Sequence, residues 1–340
     1  MSGVDNWKAV YGSGVIVREC RALSCYVGVT SPSAWRAVAP LLPVPPVGNA
    51  FVTSQEEEYL LDLVQKLPQA ELVLTAGGGK ALDAGKFVAW KRDLPYVMVP
   101  TIVSTGSVFQ PFVPTRHNNK IHRVIETSSP ECVLFDTDVI GAAPPHLNAA
   151  GMAECISWLG CIASWRWWSA AGLGGPPWDE EIAGETHEWV RQRVSAYASD
   201  LDSEGRPGER GIRTAAEVNR ERHHLRLSLL GAAHALCHIF ENTFLWTHGR
   251  DLYHAEGVAL GTLLGCHLYG WGFDEAKEHF AACGTRFRPR EIGCTWDEVR
   301  ASFSRIPEHA DHLEWAETFF HKRSLSDETF QEMARRIDAD

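Results

Sequence analysis

One carboxylate and three imidazoles in the second half of the chain stand in settings that suit a metal ion. Glu154 closes the run Ala149-Ala150-Gly151-Met152-Ala153-Glu154, a carboxylate placed early in an otherwise apolar helical stretch. His234 and His238 lie four apart within Gly231–Glu241, hence on one helix face. His254 opens a further helical stretch, His254-Ala255-Glu256-Gly257-Val258-Ala259. An acid and two imidazoles give a divalent cation three ligands. The remaining positions stay open for water or a substrate hydroxyl, as catalysis requires. The chain has 15 histidines, so any one alone reads more readily as a hydrogen-bonded core or surface residue. Their coincidence carries the signal.

A second candidate lies in the first half. Leu74-Thr75-Ala76 runs into Gly77-Gly78-Gly79-Lys80 and then a helix. A strand entering a helix through glycines lets backbone approach an anion, which the helix dipole and unsatisfied N–H groups then hold. The spacing matches neither G-x-G-x-x-G nor the Walker pattern, so the bare turn is also readable as a tight β–α connection.

The elements that must position these groups differ between the two halves. Ser24–Val29, Asn49–Val52, Glu71–Thr75, Pro95–Val99 and Cys132–Phe135 read as strands. Helical stretches over Ser33–Leu42, Gln55–Leu67 and Ala81–Lys91 separate them, which predicts an α/β domain with a parallel sheet over residues 1–145. From 146 to 340 the strand signal disappears. Ala149–Ala170, Asp179–Ala198, Thr214–Phe244, Glu256–Leu268 and Asp274–Ala282 read as helices of an all-α domain.

Composition removes several function classes. A net charge of −11 opposes nucleic acid and anionic membranes, and the basic stretch Arg213–Arg226 is interleaved with Glu217 and Glu221 like a solvated helix face. No apolar run reaches the 18 or so residues of a membrane span. The nine cysteines include no C-x-x-C pair, and Met1–Trp7 carries no signal-peptide pattern. That combination predicts a reduced, cytoplasmic protein.

The wider string narrows the reading. GGGKALDAGKFVAW (Gly77–Trp90) followed by Pro100-Thr101-Ile102-Val103-Ser104-Thr105 resembles the glycerol dehydrogenase and glycerol-1-phosphate dehydrogenase branch of the iron-containing alcohol dehydrogenase superfamily. Dehydroquinate synthase belongs to the same superfamily. The resemblance, over about residues 24 to 305, implies the dehydroquinate synthase-like fold, a Rossmann-like domain followed by a helical one. It implies NAD or NADP contacts for Gly77, Gly78, Gly79, Lys80, Asp83, Thr101 and Ser104. It also selects Glu154, His234 and His254 as metal ligands, the last within H-A-E-G-V-A-L-G where the family has H-G-E, and leaves His238 to relay a proton. A homo-oligomer, dimeric or higher, is implied by analogy.

Two departures qualify the reaction. Glu154 stands where these dehydrogenases usually carry Asp, and Gly106 where their S-T-D-A segment has a substrate-binding Asp. A hydroxyl contact is therefore either lost or moved, with Ser107, Gln110 and Arg116 as the candidates for the second case. Glutamate is the choice of dehydroquinate synthase and related sugar-phosphate cyclases, which use NAD transiently. Their substrate clamp is absent, however: Ser157 and Gly231 replace its Lys and Asn. The expectation is a metal-dependent NAD(P)-linked oxidoreductase interconverting a secondary alcohol and ketone of a small polyol or sugar phosphate. A cyclase is the alternative. Zinc suits an acid and two imidazoles best, with iron, cobalt or nickel able to substitute.

Overall fold

Short apolar runs closed by polar or glycine turns become strands buried on both faces, the signature of a helix-covered parallel sheet. The computed structural model describes residues 7–339 apart from 105, 174, 230–235 and 313–317. Eight strands occur among these residues: β1 (Ala9–Gly12), β2 (Tyr26–Thr30), β3 (Gly48–Phe51), β4 (Leu72–Gly77), β5 (Tyr96–Pro100), β6 (Phe112–His117), β7 (Lys120–Glu126) and β8 (Cys132–Asp136). Six form one parallel sheet in the order β1-β8-β5-β4-β2-β3. Strand order reverses around β2 and β4, and the crevice beyond their carboxyl ends is where open α/β sheets bind ligands. Leu74, Ala76, Val97, Val99 and Leu134 meet Tyr26, Val38 and Ile16 in the core of this unit.

Three strands escaped the sequence reading. β1 is only four residues long, and β6 carries Pro114 beside a bulge at Thr115/Arg116. β7 is largely exposed, so it lacks an apolar face to betray it. The β6–β7 hairpin turns at Asn118 and Asn119, both with positive φ, and their N–H groups donate to the Glu56 carboxylate at 2.9 and 2.8 Å.

The chain divides into two units, Met1–Asn148 with Asp200–Arg220 and Ala149–Ser199 with Glu221–Asp340. Residues 200–220, read from sequence as part of the helical half, group instead with the sheet. Within that unit Tyr11 Oη donates to Glu217 at 2.6 Å, and the Arg213 and Arg220 guanidiniums lie over the rings of Tyr11 and Phe109. The basic stretch is thus partly bound to aromatics rather than solvated.

The single helix expected over Thr214–Phe244 is also corrected. Helix Glu209–Glu221 tightens into a 3-10 turn at Arg222–His224, and Leu225 leaves helical space with ψ 130°. Helix Arg226–Leu229 follows, residues 230–235 lie outside the described set, and helix Leu236–His248 completes the region.

The regular elements among the second unit's described residues are all helices. Helix Ala150–Ala171 is buried along most of its length, which makes a carboxylate at position 154 conspicuous. It packs with helices Leu236–His248 and His254–Tyr269. The last two approach closely because Gly257 and Gly261 face the neighbour. A Cβ at Gly257 would fall 2.7 Å from Glu241 Cγ, and one at Gly261 2.7 Å from Cys237 Cα. No helix among the described residues is long and apolar enough to cross a membrane.

Candidate metal and cofactor sites

The close helix approach brings together Glu154, His238 and His254. One donor atom from each lies within 4.8 Å of the others. Glu154 Oε1 is 2.7 Å from His254 Nε2, and Oε2 is 3.5 Å from His238 Nε2. The carboxylate is 2% exposed, whereas the His238 and His254 side chains keep 37% and 32% of their surface. A buried acid under two half-open imidazoles leaves one side of the cluster approachable, the form of a catalytic rather than a closed structural site.

His254 is held from behind as well. Its Nδ1 is 3.6 Å from Glu241 Oε2, a nearby carboxylate that favours a proton on Nδ1 and so leaves Nε2 to face the cluster. His238 Nδ1 lies 3.1 Å from Cys237 Sγ. Arg222 Nη1 donates to Glu154 Oε2 at 2.6 Å.

Burial alone would raise the Glu154 pKa, but His238, His254 and Arg222 outweigh it and hold the carboxyl well below its usual range. Burial would likewise lower the His254 pKa, yet Glu154 and Glu241 push it up to about 9. His238 also moves well above its ordinary value, against its burial, through Cys237 and Glu154. The cluster is thus an anion that recruits positive charge strongly. That is the electrostatic condition a cation site requires.

Of the sequence candidates, Glu154 and His254 come together, while His234 lies outside the described residues. His238, expected only to relay a proton, stands in the donor group itself. Sequence reasoning passed over Glu241 and Arg222. Glu241 had a signal, since it follows His238 by three residues and so shares its helix face. Arg222 had none, because it was absorbed into the basic stretch.

In the sheet unit, Gly77, Gly78, Thr101 and Ser104 gather at the carboxyl ends of β4 and β5. Gly77 has φ 147°, a region that disfavours side chains, and its carbonyl accepts from Thr101 N–H at 3.1 Å. A Cβ on Gly78 would meet Ile102 Cδ1 at 3.0 Å and Ser104 Oγ at 3.6 Å. Helix Gly79–Arg92 starts there, with Lys80 exposed on its first turn. Together these form a β–α turn with helix N–H groups at its mouth, suited to a pyrophosphate.

Asp83 is placed differently from the expected cofactor contact. It is buried, its Oδ1 is 2.7 Å from Lys86 Nζ, and its Oδ2 accepts from Ser107 Oγ at 3.1 Å. Lys86 is fully buried and donates to the carbonyls of Ser107, Gln110 and Phe112, each at 3.0 Å. Asp83 and Lys86 therefore brace the Ser107–Phe112 segment. Of the expected substrate residues, Ser107 and Gln110 belong to that brace, and Arg116 sits on the hairpin, donating to Asn119 O at 3.2 Å.

Relatives of the chain are dehydrogenases. The iron-containing alcohol dehydrogenase family profile matches residues 45–144. The glycerol-1-phosphate dehydrogenase [NAD(P)+] of Hyperthermus butylicus is 27% identical over 321 residues, covering 86% of each chain. That of Thermoplasma acidophilum is 28% identical, covering 74% of this chain and 69% of its own. A probable glycerol dehydrogenase from Sinorhizobium meliloti shares the fold at TM-score 0.67, with 18% identity and 97% and 96% of the two chains covered. A parallel-sheet unit and a helical unit are the plan of this class of dehydrogenase. Residues 45–144 match the iron-containing alcohol dehydrogenase family, the chain is a relative of glycerol-1-phosphate dehydrogenases, and it shares its fold with a glycerol dehydrogenase structure.

Proposed function

We propose that this chain is a metal-dependent, NAD(P)-linked oxidoreductase that interconverts a secondary alcohol and a ketone of a small polyol or its phosphate. The observation that carries the reading is the buried Glu154 with His238 and His254 around it, donor atoms within 4.8 Å. One carboxylate and two imidazoles fit zinc, and iron, cobalt or nickel are the substitutes. When bound, such a cation supplies Lewis acidity, which acidifies a hydroxyl or polarises a carbonyl. NAD(P) at the glycine turn supplies the hydride chemistry.

The chain's own residues have distinct tasks. Glu154 and His254 hold the cation, and Glu241 keeps His254 oriented from its Nδ1 side. His238 is the third ligand in the described geometry. His234 is the alternative, and then His238, half-open and anchored on Cys237, is free to move the proton. In the sheet unit Gly77, Gly78 and Gly79 admit the pyrophosphate, while Thr101 and Ser104 line the turn. The relatives do not favour the cyclase alternative, although Glu154 is shared with that class. Assembly into a homo-oligomer belongs to the same proposal.

The test is NADH absorbance on zinc-loaded protein with dihydroxyacetone phosphate and dihydroxyacetone, with Glu154→Ala as blank. Stoichiometric NADH loss that disappears in the variant is expected. Sugar phosphate consumed without net NADH loss overturns the reading in favour of a cyclase. Metal content of His234→Ala and His238→Ala decides which imidazole is the third ligand.

A further inference from the structure

The two oxygens of Glu154 have different neighbours. Oε1 faces His254 Nε2 at 2.7 Å, while Oε2 faces Arg222 Nη1 at 2.6 Å, with His238 Nε2 further away at 3.5 Å. The Arg222 side chain is 13% exposed, so a permanent, largely buried cation stands against the carboxylate of a cation site. A guanidinium is a planar fork of N–H donors whose geometry matches a carboxylate. Its placement follows from the backbone: the 3-10 turn Arg222–His224 and extended Leu225 interrupt the helix where the side chain must turn toward Glu154.

A glutamate has one more torsion than an aspartate between backbone and carboxylate, and a free carboxylate can ligate through one oxygen or through both. Chelation by both oxygens would use a coordination position that a substrate oxygen needs. A charge-assisted hydrogen bond engages one lone pair of Oε2 and draws its charge toward the guanidinium, which leaves Oε1 the stronger donor to a cation. The same positive charge also repels a second cation nearby.

We propose that Arg222 is a positioning residue that holds Glu154 to single-oxygen ligation and so reserves a coordination position for substrate. This rests on the metal-site reading above. Its prediction runs against the usual rule, because deleting a group that orients a ligand ordinarily weakens metal binding. Here deletion frees a second carboxylate oxygen and removes a repelling charge. Metal is then retained more tightly while turnover is lost.

The experiment uses the full chain stripped of metal, as wild type, Arg222→Met and Arg222→Lys. Zn2+ affinity is read by chelator competition, and coordination by the visible absorption of the Co2+ form. Arg222→Met is expected to bind Zn2+ about tenfold tighter, a change of the size seen for outer ligand-shell variants. Its Co2+ bands should weaken as the coordination number rises, with kcat falling more than KM changes. Arg222→Lys keeps a cation on Oε2 and should restore the wild-type spectrum; it is the deciding variant if Arg222→Met does not fold. An unchanged Co2+ spectrum and Zn2+ affinity in a folded Arg222→Met overturns the proposal. So does weaker binding in step with lower thermal stability in both variants, the mark of a purely structural role. Wild-type protein that takes up no metal sinks the site reading itself, a separate result.

Discussion

Glu241 Oε2 lies 3.6 Å from His254 Nδ1, on the side of the ring opposite the 2.7 Å contact with Glu154. The imidazole is therefore held between two carboxylates, one presented with it to a cation and one behind it. Glu241→Gln keeps the shape and removes the charge. Metal affinity should fall about 10- to 100-fold, measured by chelator competition, with the helical content unchanged. Unchanged affinity would remove Glu241 from the site.

Lys86 and Asp83 form a fully buried ion pair at 2.7 Å, and Lys86 also satisfies three carbonyls. Lys86→Met strands the Asp83 charge and those carbonyls together. Breaking such a pair from one side costs about 3–5 kcal/mol. Urea unfolding should show a loss of that order. A loss under about 1 kcal/mol would mean the brace is solvated.

Glu256 is buried on the helix that begins at His254, and burial pushes its carboxyl up to about 7. The folded chain then holds this proton over a range where the unfolded chain has released it. Stability from this group is present below the ordinary carboxyl pKa of 4.5 and is lost as pH rises through about 7. Metal-free Glu256→Gln should lack that slope. Parallel wild-type and variant curves from pH 4.5 to 8 in urea would contradict it.

Gly77 combines φ 147° with a would-be Cβ 2.8 Å from Ala81 Cβ. Gly77→Ala should cost about 1–3 kcal/mol in strain and should weaken NADH binding, read by nucleotide fluorescence. Normal binding in a folded variant would move the pyrophosphate away from this turn.

Much of the sheet unit was legible because buried parallel strands are continuous apolar runs, as in β2, β4 and β5. Ala9–Gly12 was too short for any period to show, and the exposed β7 had no apolar face. The break at Leu225 was hidden for a different reason: Arg213–Arg226 has ordinary helix formers, and only partners distant in sequence, Glu154 and Tyr11 among them, decide where each arginine turns. At the site, Glu154 and His254 were legible from their settings, and His238 from its spacing. Its place among the donors was not, since two imidazoles four residues apart share a face and sequence does not rank them. Asp83 braces Lys86 and Ser107, a role the motif position did not show, because a buried acid bracing a lysine and an acid facing a ligand look alike in sequence.

The glycines at 257 and 261 have a bearing on how such a chain tolerates change. Neither is a ligand, and neither carries an atom that reacts. Yet a single added methyl group at either would press on Glu241 or on the Cys237 backbone and move the His238 helix away from His254. An inventory of chemical groups would count nothing missing from such a variant, although the distances among its donors would have changed. Mutational drift can therefore silence this protein through its spacing long before it reaches the residues that do the chemistry.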